Sequence, residues 1–261
     1  MIGEHIAIRE RIVSFVPPDD LRKAVSHVGL ENAPRILFIH GFTGSPQTLV
    51  PQYMRAIEEG FTVEVPLLAG HGTVLEDMVP TCYDDYFADV RRAIDRLSPN
   101  GEETYVVAIS MGGTLALDLA LVDPRVTRLV LVNPLVLSPA PSFLDMMDQA
   151  IAAGIETAPA IGSDIADPDV GEASYDGVPI RAARSLYQAT TALAPKVAGI
   201  RIPVLLFNSV TDHVVLPENG EYLEKHLANV KRIILERSFH VATLDFDKEI
   251  INSAMIEFLL G

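Results

Sequence analysis

The feature that most constrains this chain is a β-branched run that passes directly into a serine and then into an apolar helical pattern. The run is Thr104-Tyr-Val-Val-Ala-Ile-Ser110-Met-Gly-Gly113. Small residues two positions before and after the serine, here Ala108 and Gly112, permit the sharp strand-to-helix turn called a nucleophile elbow, which lifts the hydroxyl above a sheet edge. Glycine usually occupies both positions, so Ala108 departs from the pattern by one methyl group. The alternative is a serine that only caps a helix.

Short β-rich runs alternate with helical patterns along the chain, which is typical of a mostly parallel sheet covered on both faces by helices. The predicted strands are residues 35–40, 61–65, 104–109, 126–132, 204–208 and 231–235, with residues 5–16 pairing at the sheet edge. The predicted helices are residues 83–97, 111–121, 217–228 and 246–260. The predicted fold class is therefore α/β.

Residues 135–195 interrupt this rhythm, because they contain many prolines and glycines and no convincing strand. We expect an apolar helix near residues 142–153, an acidic loop at 164–177 and a second helix near 180–193. The segment is far longer than a simple crossover. The sequence therefore predicts a core formed by residues 1–134 and 196–261, with a helical cap inserted at 135–195. A decorated helical crossover is the alternative.

Composition restricts the classes of function. Acidic residues number 35 against 20 basic ones, giving a formal net charge of −15, which disfavours nucleic-acid binding and electrostatic docking to anionic lipid. The single cysteine, Cys82, excludes an intrachain disulfide and a thiolate metal cluster. The sequence shows neither a secretory signal nor an apolar stretch of membrane-spanning length. We expect a cytoplasmic protein with no integral membrane segment.

A nucleophilic serine requires a base, and seven histidines compete for that role. In the chain order serine, acid, histidine, the candidates are His213, His226 and His240. His226 falls in an amphipathic helical pattern, and His213 adjoins the candidate acid and cannot easily face its carboxylate. His240 follows the last predicted strand by a short loop, at the carboxyl edge of the sheet. His240 is the predicted base, with a structural histidine as the alternative.

The acid is also expected just beyond the end of a strand. Asp212 follows strand 204–208 and would orient the His240 ring and stabilise its imidazolium form. The other common position, after the preceding strand, holds the uncharged Asn133. A purely turn-forming role is the alternative for Asp212.

The glycine-rich segment Ile39-His40-Gly41-Phe42-Thr43-Gly44 follows the first parallel strand. Such a backbone can direct an N–H group toward the negative charge that develops on a carbonyl oxygen during acyl transfer. We predict that the main-chain N–H groups of Phe42 and Met111 form an oxyanion hole. A phosphate loop is the alternative, but no lysine follows and the G-x-G-x-x-G pattern is absent from this segment.

His71, in Leu68-Ala-Gly-His71-Gly72, is the other histidine considered for chemistry. No further histidine or acid stands at ligand spacing from it, so a turn with a hydrogen-bonded histidine is favoured over a metal site. Neither a metal nor a cofactor is predicted.

Several motifs together resemble α/β-hydrolases of the bacterial monoacylglycerol lipase and small carboxylesterase group. They are the elbow, His-Gly-Phe-Thr-Gly, Leu-Ala-Gly-His-Gly, Asp212, Ser-Phe-His240-Val-Ala-Thr-Leu-Asp245, and the cap run Asp164-Ile-Ala-Asp-Pro with Glu172-Ala-Ser-Tyr175. The resemblance extends from about Ile36 to the C-terminus. It implies the α/β-hydrolase fold with an inserted cap, a triad of Ser110, Asp212 and His240, and an oxyanion hole at Phe42 and Met111. It also implies that Glu172 reaches a polar alcohol portion of the substrate.

The expected function is a serine hydrolase of carboxylic esters that forms an acyl-enzyme, with monoacylglycerols or short- and medium-chain esters as substrates. A thioesterase, a carbon–carbon bond hydrolase or a cofactor-free peroxidase-like activity stays open, since fold and triad do not fix the substrate. A non-catalytic ligand-binding protein is a further alternative. The apolar residues of the first cap helix either line an acyl channel or pack the cap onto the core; they are Phe143, Leu144, Met146, Met147, Ala150 and Ile151.

Overall fold

The computed structural model describes residues 20–261, in which seven strands form one sheet. The strands of this sheet are β1 (Val25–His27), β2 (Arg35–Ile39), β3 (Thr62–Val65), β4 (Thr104–Ile109), β5 (Val126–Val132), β8 (Val204–Ser209) and β9 (Val230–Leu235). Their order in the sheet is β1-β3-β2-β4-β5-β8-β9. β1 pairs antiparallel to β3, and all other neighbours are parallel. The remaining two, β6 (Thr157–Pro159) and β7 (Gly177–Pro179), form a separate antiparallel pair.

Helices cover both faces of the sheet because its central strands alternate apolar side chains between two cores. In β2, Leu37 and Ile39 belong to one apolar cluster, whereas Ile36 and Phe38 belong to the other. Successive side chains of a strand point to opposite faces, so a strand buried on both sides is apolar throughout. The helices are α1 (Val50–Glu58), α2 (Leu75–Met78), α3 (Tyr83–Leu97), α4 (Met111–Val122), α5 (Pro141–Ala152), α6 (Ile180–Leu193), α7 (Glu218–His226) and α8 (Lys248–Leu260).

The predicted α/β class and its six parallel strands are confirmed, with ends that differ by at most one residue. The four helices predicted outside the insertion are also present, with ends within two residues. Sequence patterns missed β1, which has only three residues. They also missed α1, which begins after a 3-10 turn and carries a proline in its first turn. The strand predicted at residues 5–16 lies outside the described residues.

We call residues 133–203, which lie between β5 and β8, the inserted segment or insertion. They carry α5, β6, β7 and α6. The expected absence of strands from this segment is wrong, since β6 and β7 pair antiparallel. Each has only three residues and ends in proline, at Pro159 and Pro179, so neither could show the alternating pattern of a strand. α6 packs against α3 and α4 of the main body. The division into a core and a cap at 135–195 stays a prediction.

No helix among residues 20–261 has the length and apolar character needed to cross a bilayer. The parallel strands all point their carboxyl ends to one edge of the sheet, where loops from adjacent strands meet. That edge contains the predicted site residues.

Candidate active site

Ser110 occupies the turn between β4 and α4 with a strained backbone, φ 55° and ψ −123°. A non-glycine residue at positive φ is uncommon and persists only where its surroundings hold it. Here the Ser110 N–H donates to the Val132 carbonyl at 3.1 Å, and its carbonyl accepts from Gly113 at 2.9 Å and Leu135 at 3.1 Å. The geometry is that of the predicted elbow.

The two small positions that flank Ser110 differ in what they require. A Cβ added at Gly112 would lie 2.2 Å from the Ile39 carbonyl oxygen, so this position admits only glycine without a backbone shift. Ala108 instead lies within β4, fully buried and paired in register with Ile39 and Leu131. Its methyl group is therefore part of the sheet core, which explains why the departure from the usual glycine is compatible with the turn.

His240 and Asp212 meet beyond the ends of the neighbouring strands β9 and β8. The His240 Nδ1 donates to Asp212 Oδ2 at 2.8 Å. Since a carboxylate only accepts, Nδ1 carries a proton, and in the neutral form of the ring Nε2 is then the acceptor. Asp212 Oδ1 accepts from the main-chain N–H groups of Val214 at 2.9 Å and Val215 at 2.7 Å. The two side chains are only 9% and 1% exposed, respectively.

Ser110 and His240 line one cavity of about 210 Å³. Its wall has a polar part, which includes Glu172 and Ser174, and an apolar part. The apolar wall comes from the inserted segment and from the loop after Asp212, and it includes Ile161, Val178, Ala183, Leu186, Tyr187 and Val214.

The predicted oxyanion loop passes beside the serine. A Cβ on Gly41 would lie 3.3 Å from the Ser110 Cβ, and Gly41 and Phe42 both line the cavity. Thr43 follows with φ 61°, and its Oγ1 donates to the Phe42 carbonyl at 2.6 Å. Met111 is the first residue of α4, so its N–H has no partner within that helix. These positions agree with the prediction of an oxyanion hole, which stays a prediction.

Two buried histidines, His40 and His71, support this loop from behind. His40 Nδ1 contacts the Gly41 carbonyl at 2.9 Å, and its Nε2 accepts from the Leu68 N–H at 3.2 Å. His71 Nδ1 contacts the Ala69 carbonyl at 2.9 Å, as expected for a histidine that stabilises a turn. Burial lowers the pKa of His40 to about 3 and that of His71 to about 4. Both rings are therefore neutral around pH 7.

Glu172 comes from the inserted segment and faces the same cavity. A Cβ on Gly44 would lie 3.1 Å from Glu172 Oε1, so the carboxylate sits against the oxyanion loop. Burial raises the pKa of Glu172 above its usual value, and the nearby His240 and Ser174 offset part of that rise. The cavity therefore contains a buried carboxyl group on the polar part of its wall, and its oxygen atoms can accept hydrogen bonds.

The competing histidines are engaged elsewhere. His213 Nδ1 contacts Asp164 Oδ1 at 2.7 Å, and His226 Nδ1 contacts the Tyr222 carbonyl at 2.7 Å. Of the three candidates that follow Ser110 in the chain, the structure brings His240 to Asp212.

Asn133 has a role that sequence reasoning missed. Its amide Nδ2 donates to the His240 carbonyl at 2.8 Å and to Ser209 Oγ at 2.9 Å, while its Oδ1 accepts from the Ser209 N–H at 2.8 Å. It therefore ties the end of β5 to the end of β8 and to the His240 loop. The available signal was a polar residue directly after a buried strand, but its partners lie 76 and 107 positions away.

The sequence left two roles open for the apolar residues of the first helix of the insertion, which were lining an acyl channel and packing the cap onto the core. None of these residues lines the cavity. In α5, Met147 packs with Ile180 and Ala183 of α6, whereas Phe143 and Met146 are 41% and 54% exposed. Sequence periodicity identified the apolar helix but could not show which neighbour it would pack against.

Comparison with known proteins places this arrangement in a family. Residues 31–247 match the family described as serine aminopeptidase, S33 (Hydrolase_4), and the chain belongs to this family of α/β-hydrolases. It is similar to a thermostable monoacylglycerol lipase from Bacillus sp. (strain H-257), with 35% identity over 87% of this chain and 91% of that one. A carboxylesterase from Bacillus subtilis (strain 168) is 23% identical over 86% of this chain and 91% of its own.

Solved structures agree with this assignment. A structure reported for the metagenome-derived lipolytic enzymes LipS and LipT matches with a TM-score of 0.84 and 30% identity, over 91% of this chain and 97% of that chain. The predicted family and the predicted enzyme class, a carboxylic ester hydrolase, are confirmed at this level.

Proposed function

We propose that this protein hydrolyses monoacylglycerols or short- and medium-chain carboxylic esters, with Ser110 as nucleophile, His240 as base and Asp212 as its orienting acid. The observation that carries the proposal is the hydrogen bond of 2.8 Å from His240 Nδ1 to Asp212 Oδ2. In the neutral form of the ring, this bond makes Nε2 the proton acceptor, and Ser110 lines the same cavity as His240. A nucleophile and a base held in this relation can carry out acyl transfer.

In the proposed reaction, Ser110 Oγ attacks the ester carbonyl carbon while its proton passes to His240 Nε2. The carbonyl oxygen becomes an oxyanion that the N–H groups of Phe42 and Met111 receive. Collapse of this intermediate breaks the bond to the alcohol, which takes the proton from His240 and leaves an acyl-enzyme. Water then gives a proton to His240 and attacks the acyl carbon, and the carboxylic acid departs as Ser110 recovers its proton.

The division of the cavity wall supports a substrate with one polar and one apolar end. Glu172 can accept hydrogen bonds from the free hydroxyls of a glycerol-like alcohol, and Val178, Leu186 and Val214 can contact an acyl chain. A diacylglycerol or triacylglycerol has fewer or no free hydroxyls and greater bulk, so it is expected to be a poorer substrate. The resemblance to a relative named as a monoacylglycerol lipase supports the same choice.

Covalent labelling tests the nucleophile. A fluorophosphonate is expected to add one label per chain, on the peptide that contains Ser110, with mass spectrometry as the readout. Ser110→Ala should abolish labelling and reduce kcat by about 10⁴- to 10⁶-fold, while the circular dichroism spectrum stays unchanged. Labelling at another residue, or a Ser110→Ala variant that retains turnover, would contradict the proposal.

The alcohol-binding role of Glu172 is tested with two substrates that share one acyl group, monooctanoylglycerol and p-nitrophenyl octanoate. Glu172→Gln should lower kcat/KM for the glycerol ester by about 5- to 100-fold, as expected when a hydrogen bond to a charged group is lost, and change the p-nitrophenyl ester little. Asp169→Asn, at an exposed residue of the same loop, is the matched control. Equal losses on both substrates would leave Glu172 without this role.

A further inference from the structure

Asp164 connects the inserted segment to both loops that carry the proposed base and its acid. Its Oδ2 accepts from the main-chain N–H of His240 at 3.1 Å and from that of His213 at 3.1 Å. His213 directly follows Asp212 in the chain. A single oxygen atom therefore accepts hydrogen bonds from one main-chain N–H group on the loop after β9 and from one on the loop after β8.

The carboxylate of Asp164 is itself held in place. Its second oxygen, Oδ1, contacts His213 Nδ1 at 2.7 Å, and the side chain is 9% exposed. The Asp164 carbonyl accepts from the Val241 N–H at 3.0 Å. Asp164 is thus joined to His213, to the His240 backbone and to Val241 through main-chain and side-chain atoms.

A second carboxylate makes the connection in the opposite direction. Asp245, which lies after His240 and is fully buried, accepts from the N–H groups of Ala166 at 2.8 Å and Asp167 at 3.0 Å in the inserted segment. The same carboxylate accepts from Phe239 at 2.9 Å. Each loop therefore supplies one carboxylate to the other loop's backbone, which fixes their relative position more firmly than one contact could.

We propose that Asp164 is a positioning residue for ester hydrolysis, which sets the alignment of the His240 ring with Ser110 through the main chain. This inference rests on the proposed function. Acyl transfer is sensitive to small displacements, and a shift of about 1 Å in a reacting group can lower the rate about 100-fold. The inserted segment therefore determines turnover as well as lining the cavity.

The test compares four variants on p-nitrophenyl acetate, an ester too small to need the acyl wall. Asp164→Ala should lower kcat at least about tenfold with KM changed less than about twofold. Asp164→Asn keeps an oxygen for the two N–H groups, and its amide can donate to Nδ1 of the His213 tautomer that carries its proton on Nε2, so kcat should stay within about threefold of the original. Asp164→Glu keeps the charge but moves it by one methylene, so kcat should fall more than in Asp164→Asn.

Asp167→Ala is the matched control, since the Asp167 carboxylate accepts from Asp169 within its own loop. It should leave kcat unchanged, and the rate of fluorophosphonate labelling at Ser110 should follow kcat across the series. If Asp164→Ala does not fold, the other two variants still test the inference. A positioning role predicts a higher kcat for Asp164→Asn than for Asp164→Glu, whereas a purely electrostatic role predicts the reverse. Equal kcat in all variants, or Glu above Asn, would overturn the inference. Failure of Ser110 labelling in the unmodified protein would instead overturn the proposed function.

Discussion

The elbow at Ser110 and the inserted segment line the same cavity but are built in different ways. At the elbow the chain is packed so closely that a Cβ on Gly112 or Gly113 would meet atoms at 2.2 Å and 2.5 Å. In the insertion, Gly154, Gly162 and Gly171 have no other atom within 4 Å of such a Cβ. The difference shows that the chain is closely packed around the proposed nucleophile, whereas these three positions of the inserted segment have open space around them.

The insertion is nevertheless tied down where it approaches the site. The Tyr175 N–H donates to the Thr43 carbonyl at 3.2 Å, and the Tyr175 hydroxyl donates to the Gly70 carbonyl at 2.7 Å. α5 is held mainly by packing against α6, and Met146 and Phe143 remain substantially exposed. The segment therefore combines an anchored loop beside the site with a less buried outer helix, which does not line the cavity.

The largest expected effect is on stability, and it comes from adding the same methyl group to a glycine in each of the two regions. Gly112→Ala should lower the free energy of unfolding by about 3 kcal/mol or more, because the new Cβ would overlap the Ile39 carbonyl. Gly171→Ala places the same methyl group in open space and should change stability by less than about 0.5 kcal/mol. Urea unfolding followed by circular dichroism measures both. Similar losses of unfolding free energy in the two variants would contradict the difference in packing between the two regions.

The same contrast explains what the sequence could and could not predict. The elbow and its strand were predictable because the signal is local: β4, Ser110 and α4 are consecutive, and the steric requirement at Gly112 appears as glycine. The role of Asp164 was not predictable, because its partner His240 lies 76 residues away. Loops carry no periodicity that would indicate such partners, so Asp164 looked like one of several acids in an acidic loop.

β6 and β7 illustrate the same limit. Their pairing joins Thr157 to Pro179 across a long loop, and neither strand is long enough to show alternation. Glu172 was singled out only because the sequence resembles a known family, since a glutamate in an acidic loop has no local feature that distinguishes it. The sequence therefore predicted the candidate catalytic residues better than it predicted the contacts that hold their loops together.

An intermediate effect is expected from the neutral histidines behind the oxyanion loop. Burial lowers the pKa of His40 to about 3 and of His71 to about 4, whereas an unfolded histidine titrates near about 6.5. Between these values the unfolded state binds more protons than the folded state, so stability is greatest above about pH 6.5 and is lost as the pH falls. From pH 7 to pH 5 the two histidines together should lower the free energy of unfolding by about 3–4 kcal/mol.

His71→Phe isolates this contribution. The slope of unfolding free energy against pH near pH 5 should decrease by the equivalent of about one proton, because one of the two groups no longer titrates. The measurement is urea unfolding at a series of pH values, and the slope is compared rather than the absolute stability, since the substitution also removes the contact with Ala69. An unchanged slope would mean that His71 is protonated in the folded protein.

The smallest expected effect comes from the insertion, where Glu172→Gln should stabilise the fold at neutral pH. Burial raises the pKa of this carboxyl, so the folded state holds the proton more tightly than the unfolded state does. Ionisation therefore reduces stability as the pH rises above the usual range of a glutamic acid. The gain from glutamine should be about 1 kcal/mol or less at pH 7 and should disappear at low pH, where the carboxyl is protonated in both states. Urea unfolding of both proteins at pH 7 and at low pH measures the difference. A glutamine variant that is less stable than the original at pH 7 would show that the carboxylate stabilises the loop, which would contradict this prediction.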